Sequence, residues 1–202
     1  MALRAAAVGV LSLILCAHVP AHEKVGRARM TFYWVADENA PRYRGKPSAV
    51  LRDPAGRVLA HTTRKFKLDL VRQGSGWLRD GRTVIFVKRI GDESRFRVTK
   101  SKYGLGSNGC RLIPYRTVAV DPRFVKLGTK VYIPQLKGAR LPDGTIHDGM
   151  FIASDRGNFR GAHVDVFVGA RSPGPQPFTR KGYGSRSHVT VYSVRKSAGC
   201  RP

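Results

Sequence analysis

The 202-residue sequence predicts a mainly β fold, a barrel whose mouth or groove holds a site. Three observations carry that prediction. Apolar residues recur with period two, or in short runs closed by Gly, Pro or Asp, which is strand patterning. Helical spacing is sparse. Aspartates punctuate the valine-rich strands although the chain holds only 13 acidic residues against 37 basic ones.

Taken in order, Met30–Val35 reads as a strand. Ala49–Asp53 and Arg57–His61 flank Pro54-Ala55-Gly56, a hairpin signal. Residues 65–80 hold one short helix, since Phe66, Leu70 and Val71 share a face, and Gly74 and Gly76 end it. Thr83–Val87 follows a turn at Asp80-Gly81. Strands then recur at Thr117–Val120, Lys130–Ile133, Met150–Ala153, Val164–Val168 and Val189–Val194. Residues 36–110 are basic and loop-rich, and residues 111–194 are denser in strands. The expected organisation is residues 1–21 as a signal peptide, 22–110 as a first barrel strand plus an accessory region, and 111–202 as the barrel core.

Alternation then places side chains. Val164, Val166 and Val168 share one face of their strand, with His163 and Asp165 on the other. Val118 and Val120 share a face that ends at Asp121. Asp121, Asp155 and Asp165 therefore invite a chemical reading, because a carboxyl beside apolar strands has its pKa raised and becomes a candidate general acid. The bland reading, that all three are caps and turn residues, stands beside it. Asp121 before Pro122 is a good N-cap for a turn over Pro122–Val125.

The start of the chain has a signal-peptide pattern. Arg4 precedes an apolar stretch from Ala5 to Ala17, and small residues end at Ala21 before His22-Glu23-Lys24. Cleavage is expected after Ala21. Leu15 stands where a lipid-anchor site at Cys16 would want a small residue. Cys110 and Cys200 then remain as an even pair, which fits a disulfide in an exported protein, and two free thiols remain the alternative. The net charge of +24 speaks about partners. Export argues against nucleic acid and leaves acidic wall polymers and anionic lipid surfaces, or a basic surface with no purpose.

Several motifs carry little. Gly104-Leu-Gly106-Ser-Asn-Gly109 has the spacing of a dinucleotide loop but runs into Cys110 and Pro114, with no helix to hold a pyrophosphate, so it reads as a flexible glycine loop. His61, His147, His163 and His188 show no metal-ligand spacing, and neither a metal nor another cofactor is expected. No nucleophile elbow surrounds Ser154.

The block from Arg116 to Gly169 resembles the three-aspartate (3D) domain, the core shared with MltA-type lytic transglycosylases. The resemblance rests on Val118-Ala-Val-Asp121-Pro122, Leu127-Gly-Thr129, Lys130–Ile133, Ala153-Ser-Asp155-Arg-Gly157 and Arg160-Gly161-Ala-His163-Val-Asp165-Val-Phe167. Met30–Tyr33 resembles the strand that opens such domains. The resemblance implies a six-stranded double-psi β-barrel with a loop-rich N-terminal insertion. It implies an exported enzyme cleaving the β-1,4 bond between N-acetylmuramic acid and N-acetylglucosamine with a 1,6-anhydro product. Asp165 matches the acid/base, with Asp155 and Asp121 as the other two catalytic-site aspartates. His163, Thr129, Gly157 and Gly161 are the implied substrate contacts. The implied partner is the peptidoglycan glycan strand, met in the periplasm or at the outer membrane by a monomer. One departure stands out: between Asp155 and Asp165 the family runs Asp-Thr-Gly-Gly-x-Ile-Lys-Gly, whereas here Asp155-Arg-Gly-Asn-Phe-Arg-Gly161 is one residue shorter. A non-catalytic glycan-binding module on the same barrel is the alternative function.

Overall fold

A computed structural model describes residues 22–171 and 174–194. The expected signal peptide and Cys200 lie outside the described residues. The chain opens with a long strand, β1 (His22–Asp37), followed by β2 (Ala49–Arg52), β3 (Val58–Thr62), helix α1 (Arg64–Gln73), β4 (Ser75–Trp77), β5 (Thr83–Ile90) and β6 (Glu93–Thr99). The second half holds β7 (Thr117–Val120), β8 (Lys130–Tyr132), β9 (Met150–Arg156), β10 (His163–Ala170), the short helix α2 (Pro177–Arg180) and β11 (His188–Val194).

Six strands close into the barrel in the order β10-β7-β9-β8-β11-β1, and β1 pairs back onto β10. The β1–β10 and β7–β9 pairs are parallel and the other barrel pairs antiparallel. This is the six-stranded double-psi barrel that the resemblance implies. Its interior is filled as the alternation requires: Met30, Val118, Val120, Val131, Val164, Val166, Val189 and Val191 are fully buried in one cluster. Each such valine contributes about 1.5 kcal/mol or more by leaving water.

The last residues of β1 leave the barrel. Ala36 and Asp37 pair with Gly76 and Trp77 of β4, and so join the barrel to a second sheet of β4, β5, β6, β2 and β3. That sheet, with α1 and the loops between them, forms the insertion between β1 and β7. Phe66 and Leu70, one turn apart on α1, pack with Tyr43, Leu51, Val84 and Phe96 in a core of their own. Thr63 caps α1 by accepting from the Phe66 amide at 3.2 Å. Gly74 ends it at φ 80°, the left-handed conformation in which glycine carries no steric cost. The glycine end matches the sequence reading, which did not name the Thr63 cap.

A third cluster joins the two parts. Tyr33, Ala119 and Phe167 are buried on the outward face of the barrel strands, with Leu112 and Tyr103 from the segment before β7 packed against them. The alternate residues of β1, β7 and β10 that do not enter the barrel thus face the insertion. The site lies on that side.

Candidate active site

Strand register brings the site together. Thr31 of β1 lies opposite Asp165 of β10, and Tyr33 opposite Phe167. On the other flank, Asp165 lies opposite Ala119 of β7. Pairing of β7 with β9 runs from Val118–Ala153 to Ala119–Asp155, so β9 spends one extra residue at Ser154. Such a bulge re-aims the next side chain. Asp155 and Asp165 both line a cavity of about 840 Å³ between barrel and insertion, with Tyr33, Gln73, Arg97 and Ser107 also in its wall.

Asp165 is half-buried, and its Oδ1 accepts from the Thr31 hydroxyl at 2.7 Å. Burial pushes its carboxyl up to about 6; the Thr31 hydrogen bond opposes this and the Asp155 charge adds to it. Thr31 Oγ1 also meets His163 Nε2 at 2.7 Å. A carboxylate only accepts, so the single Thr31 proton goes to Asp165 and His163 donates from Nε2. Burial, helped by the Arg29 charge, lowers the His163 pKa and keeps the ring neutral. His163 therefore stands behind Asp165 as the end of a His163–Thr31–Asp165 chain.

Asp155 is held by three donors. Its Oδ1 accepts from the Ser107 and Arg156 amides at 3.0 and 2.8 Å, and its Oδ2 from the Tyr33 hydroxyl at 3.2 Å. Burial outweighs these bonds and raises its pKa. Tyr33 is itself raised well above its ordinary value by burial and by the charges of Asp155 and Asp165, so it stays a donor.

Asp121 sits elsewhere. Its side chain is 5 % exposed and paired with Arg123 at 2.9 Å. It accepts from the Arg123 amide at 3.0 Å and the Gly161 amide at 2.8 Å. The Arg123 bonds, then the Gly161 amide, hold its carboxyl well below the usual range. The Phe124 and Val125 amides bond the Asp121 carbonyl, so Asp121 caps a turn there. It does not line the 840 Å³ cavity.

The remaining expected contacts divide in the same way. Gly157 lines the cavity. A Cβ on Gly157 would fall 1.9 Å from the Phe159 ring, so only glycine lets that ring fold back. Phe159 then stacks on His163 with centroids 3.9 Å apart. This packing closes the short turn between Asp155 and Asp165. Gly161 gives its amide to Asp121 and is absent from the cavity wall. Thr129 lies just before β8, where its carbonyl accepts from the Ala153 amide, and it is not in the cavity wall. Cys110 is 7 % exposed and disulfide-bonded.

Thr31, Tyr33, Ser107 and Phe159 are site residues that the sequence reading missed. The glycine loop read as flexible is in fact seated on β9. A Cβ at Gly106 would meet the Ser154 carbonyl oxygen at 2.3 Å, and this close approach lets Ser107 reach Asp155.

Residues 116–194 match the family described as the 3D domain. The chain carries a 3D domain. That domain spans β7 to β11 and supplies Asp121, Asp155 and Asp165, while β1 adds the sixth barrel strand from outside it. The fold is that of MltA. E. coli MltA with bound chitohexaose superposes with TM-score 0.58 at 15 % identity, over 86 % of this chain and 73 % of that one. MltA from Neisseria gonorrhoeae gives 0.53 at 14 % identity, over 87 % and 75 %. A membrane-bound lytic murein transglycosylase from Agrobacterium tumefaciens gives 0.51 at 15 %, over 84 % and 74 %. None of the curated proteins matches the chain in sequence.

Proposed function

We propose that the chain is an exported lytic transglycosylase that cleaves the bond between N-acetylmuramic acid and N-acetylglucosamine in peptidoglycan and leaves a 1,6-anhydro end. The observation that carries this reading is Asp165, a half-buried carboxyl raised to about 6 beside a second carboxylate, in a cleft of glycan size. The fold shared with lytic transglycosylases, one of them crystallised with chitohexaose, supports it.

Thr31 occupies Oδ1 of Asp165, so the acidic proton rests on Oδ2. Oδ2 gives that proton to the glycosidic oxygen as the bond from C1 of the muramyl sugar to that oxygen breaks, releasing the next sugar with a free hydroxyl. The muramyl C6 hydroxyl then attacks C1, and its proton returns to Asp165. No proton is gained or lost overall. Because the nucleophile is tethered to the reacting sugar, proximity replaces a second protein nucleophile. Asp155 is not such a nucleophile: three donors tie up its oxygens, which disfavours covalent attack and leaves its charge to face the oxocarbenium-like sugar. Asp121 and Gly161 act on the site by fixing the turn that Phe159 closes.

Export to the periplasm or outer-membrane face belongs to the same proposal, and the basic surface would hold the protein on an acidic wall. The test is incubation of residues 22–202 with peptidoglycan sacculi beside the Asp165→Asn variant. Anhydromuramyl ends by mass spectrometry with the unaltered protein alone are the expected result. Full cleavage by Asp165→Asn would remove the assignment. Sacculus binding without any product would mean a glycan-binding module.

A further inference from the structure

The turn between Asp155 and Asp165 has two sides. Arg156, Gly157, Asn158 and Phe159 line the 840 Å³ cavity and also a second, polar cavity of about 580 Å³ beyond the turn. The second cavity adds Asp121, Pro122, Arg123 and Arg160. It thus gathers three guanidinium groups and one carboxylate. That carboxylate is already consumed by Arg123 and by the Gly161 amide. Arg156 and Arg160 are exposed, and among the described residues neither forms an ion pair. The cavity therefore carries unbalanced positive charge directed at whatever crosses the turn.

We propose that this cavity is an anion subsite that takes a carboxylate borne on the side of the glycan strand, such as those of the peptide stem on the muramyl sugar. The argument rests on the function proposed above for the position of the glycan. A strand with its scissile bond at Asp165 projects its substituents across the wall that the two cavities share. Guanidinium forks match a carboxylate in shape as well as charge. The turn is where this chain departs from the family pattern, and both free arginines sit on it, so the departure adds binding function to a shortened loop.

The test compares three probes for binding to the full mature chain: neutral chitohexaose, soluble glycan fragments carrying stem carboxylates, and the same fragments with those carboxylates converted to amides. The stem-bearing fragments should bind most tightly. The variant Arg160→Gln, whose side chain lines the second cavity and not the glycan cleft, should lose about threefold for them, the weight of one exposed ion pair, and change little for the other two probes. The preference should also shrink in high salt. Equal binding of carboxylate and amide fragments, or a uniform loss for all three probes, overturns the subsite. Arg123 is left intact because it holds Asp121. Cleavage of sacculi is measured in parallel. Product with no carboxylate preference defeats the subsite and spares the function, and a preference without product does the reverse.

Discussion

Asp121, just past the end of β7, and Asp165, on the neighbouring β10, belong to one barrel, each beside buried valines, and they have opposite chemistry. Asp121 meets a guanidinium and two amides that aim at its oxygens, and its acidity is strengthened. Asp165 meets one hydroxyl, burial and a second carboxylate, and its acidity is weakened to about 6. Residue type and strand context are alike. The supply of donors and the sign of the nearest charge make one a structural anchor and the other a usable acid.

The sharpest way to break that comparison is to neutralise each carboxyl in turn. Asp165→Asn should lower turnover by on the order of 10²- to 10⁴-fold, the usual weight of a general acid. It should also raise Tm at pH 7. The folded-state pKa of Asp165 lies above its unfolded value, so its ionised form costs stability above about pH 6, and the amide removes that cost. Asp121→Asn should lower Tm at pH 7. Its folded-state pKa is depressed, so its contribution is full above the unfolded value of about 4 and is lost as the pH falls below it. Both differences should shrink in acid, from opposite sides. Thermal melts of the two variants from pH 3 to 8 check this, and changes of the same sign would remove the distinction.

A finer test adjusts the acid without removing it. Activity should fall as the pH rises through the Asp165 pKa, near 6. Asp155→Asn removes a charge that raises this pKa, and the alkaline limb should move to lower pH. Thr31→Val removes a hydrogen bond that lowers it, and the limb should move to higher pH. Shifts in opposite directions in kcat/KM against pH are expected. An unmoved limb in both would mean that another group titrates.

The two halves of the comparison were not equally legible. Asp121 before Pro122 can be read as a cap from the local sequence, because its partners Arg123 and the turn amides are neighbours. The barrel faces were legible too, since the valines of β7 and β10 alternate cleanly. The surroundings of Asp155 and Asp165 were not. Their donors Tyr33 and Thr31 lie 122 and 134 residues away along the chain, and only strand register unites them. The phase of β1 held a signal: if Met30 enters the barrel, Thr31 and Tyr33 must face the other way. Strand β6 escaped notice because Arg95 and Arg97 alternate with Ser94 and Phe96 and mask the apolar period. Ser107 acts through its amide, which no side-chain pattern reveals.

The smallest predicted effect tests whether the glycine loop belongs to the site or only to the fold. Gly106→Ala would place its Cβ 2.3 Å from the Ser154 carbonyl oxygen, so the loop must lift from β9. Such overpacking costs about 1–3 kcal/mol. Gly144→Ala is the control. Gly144 stands at φ 85° in a turn away from the cleft, with nothing within 4 Å of an added Cβ, so its cost is backbone strain of about 1–2 kcal/mol. If the loop only braces the fold, both variants lower Tm and leave the pH profile alone. If it serves the site, Gly106→Ala alone also withdraws the Ser107 amide from Asp155. The Asp155 pKa then rises further, its charge is lost over more of the acid range, and the upward pressure on Asp165 weakens. The alkaline limb should move down, as with Asp155→Asn but by less, while that of Gly144→Ala stays in place.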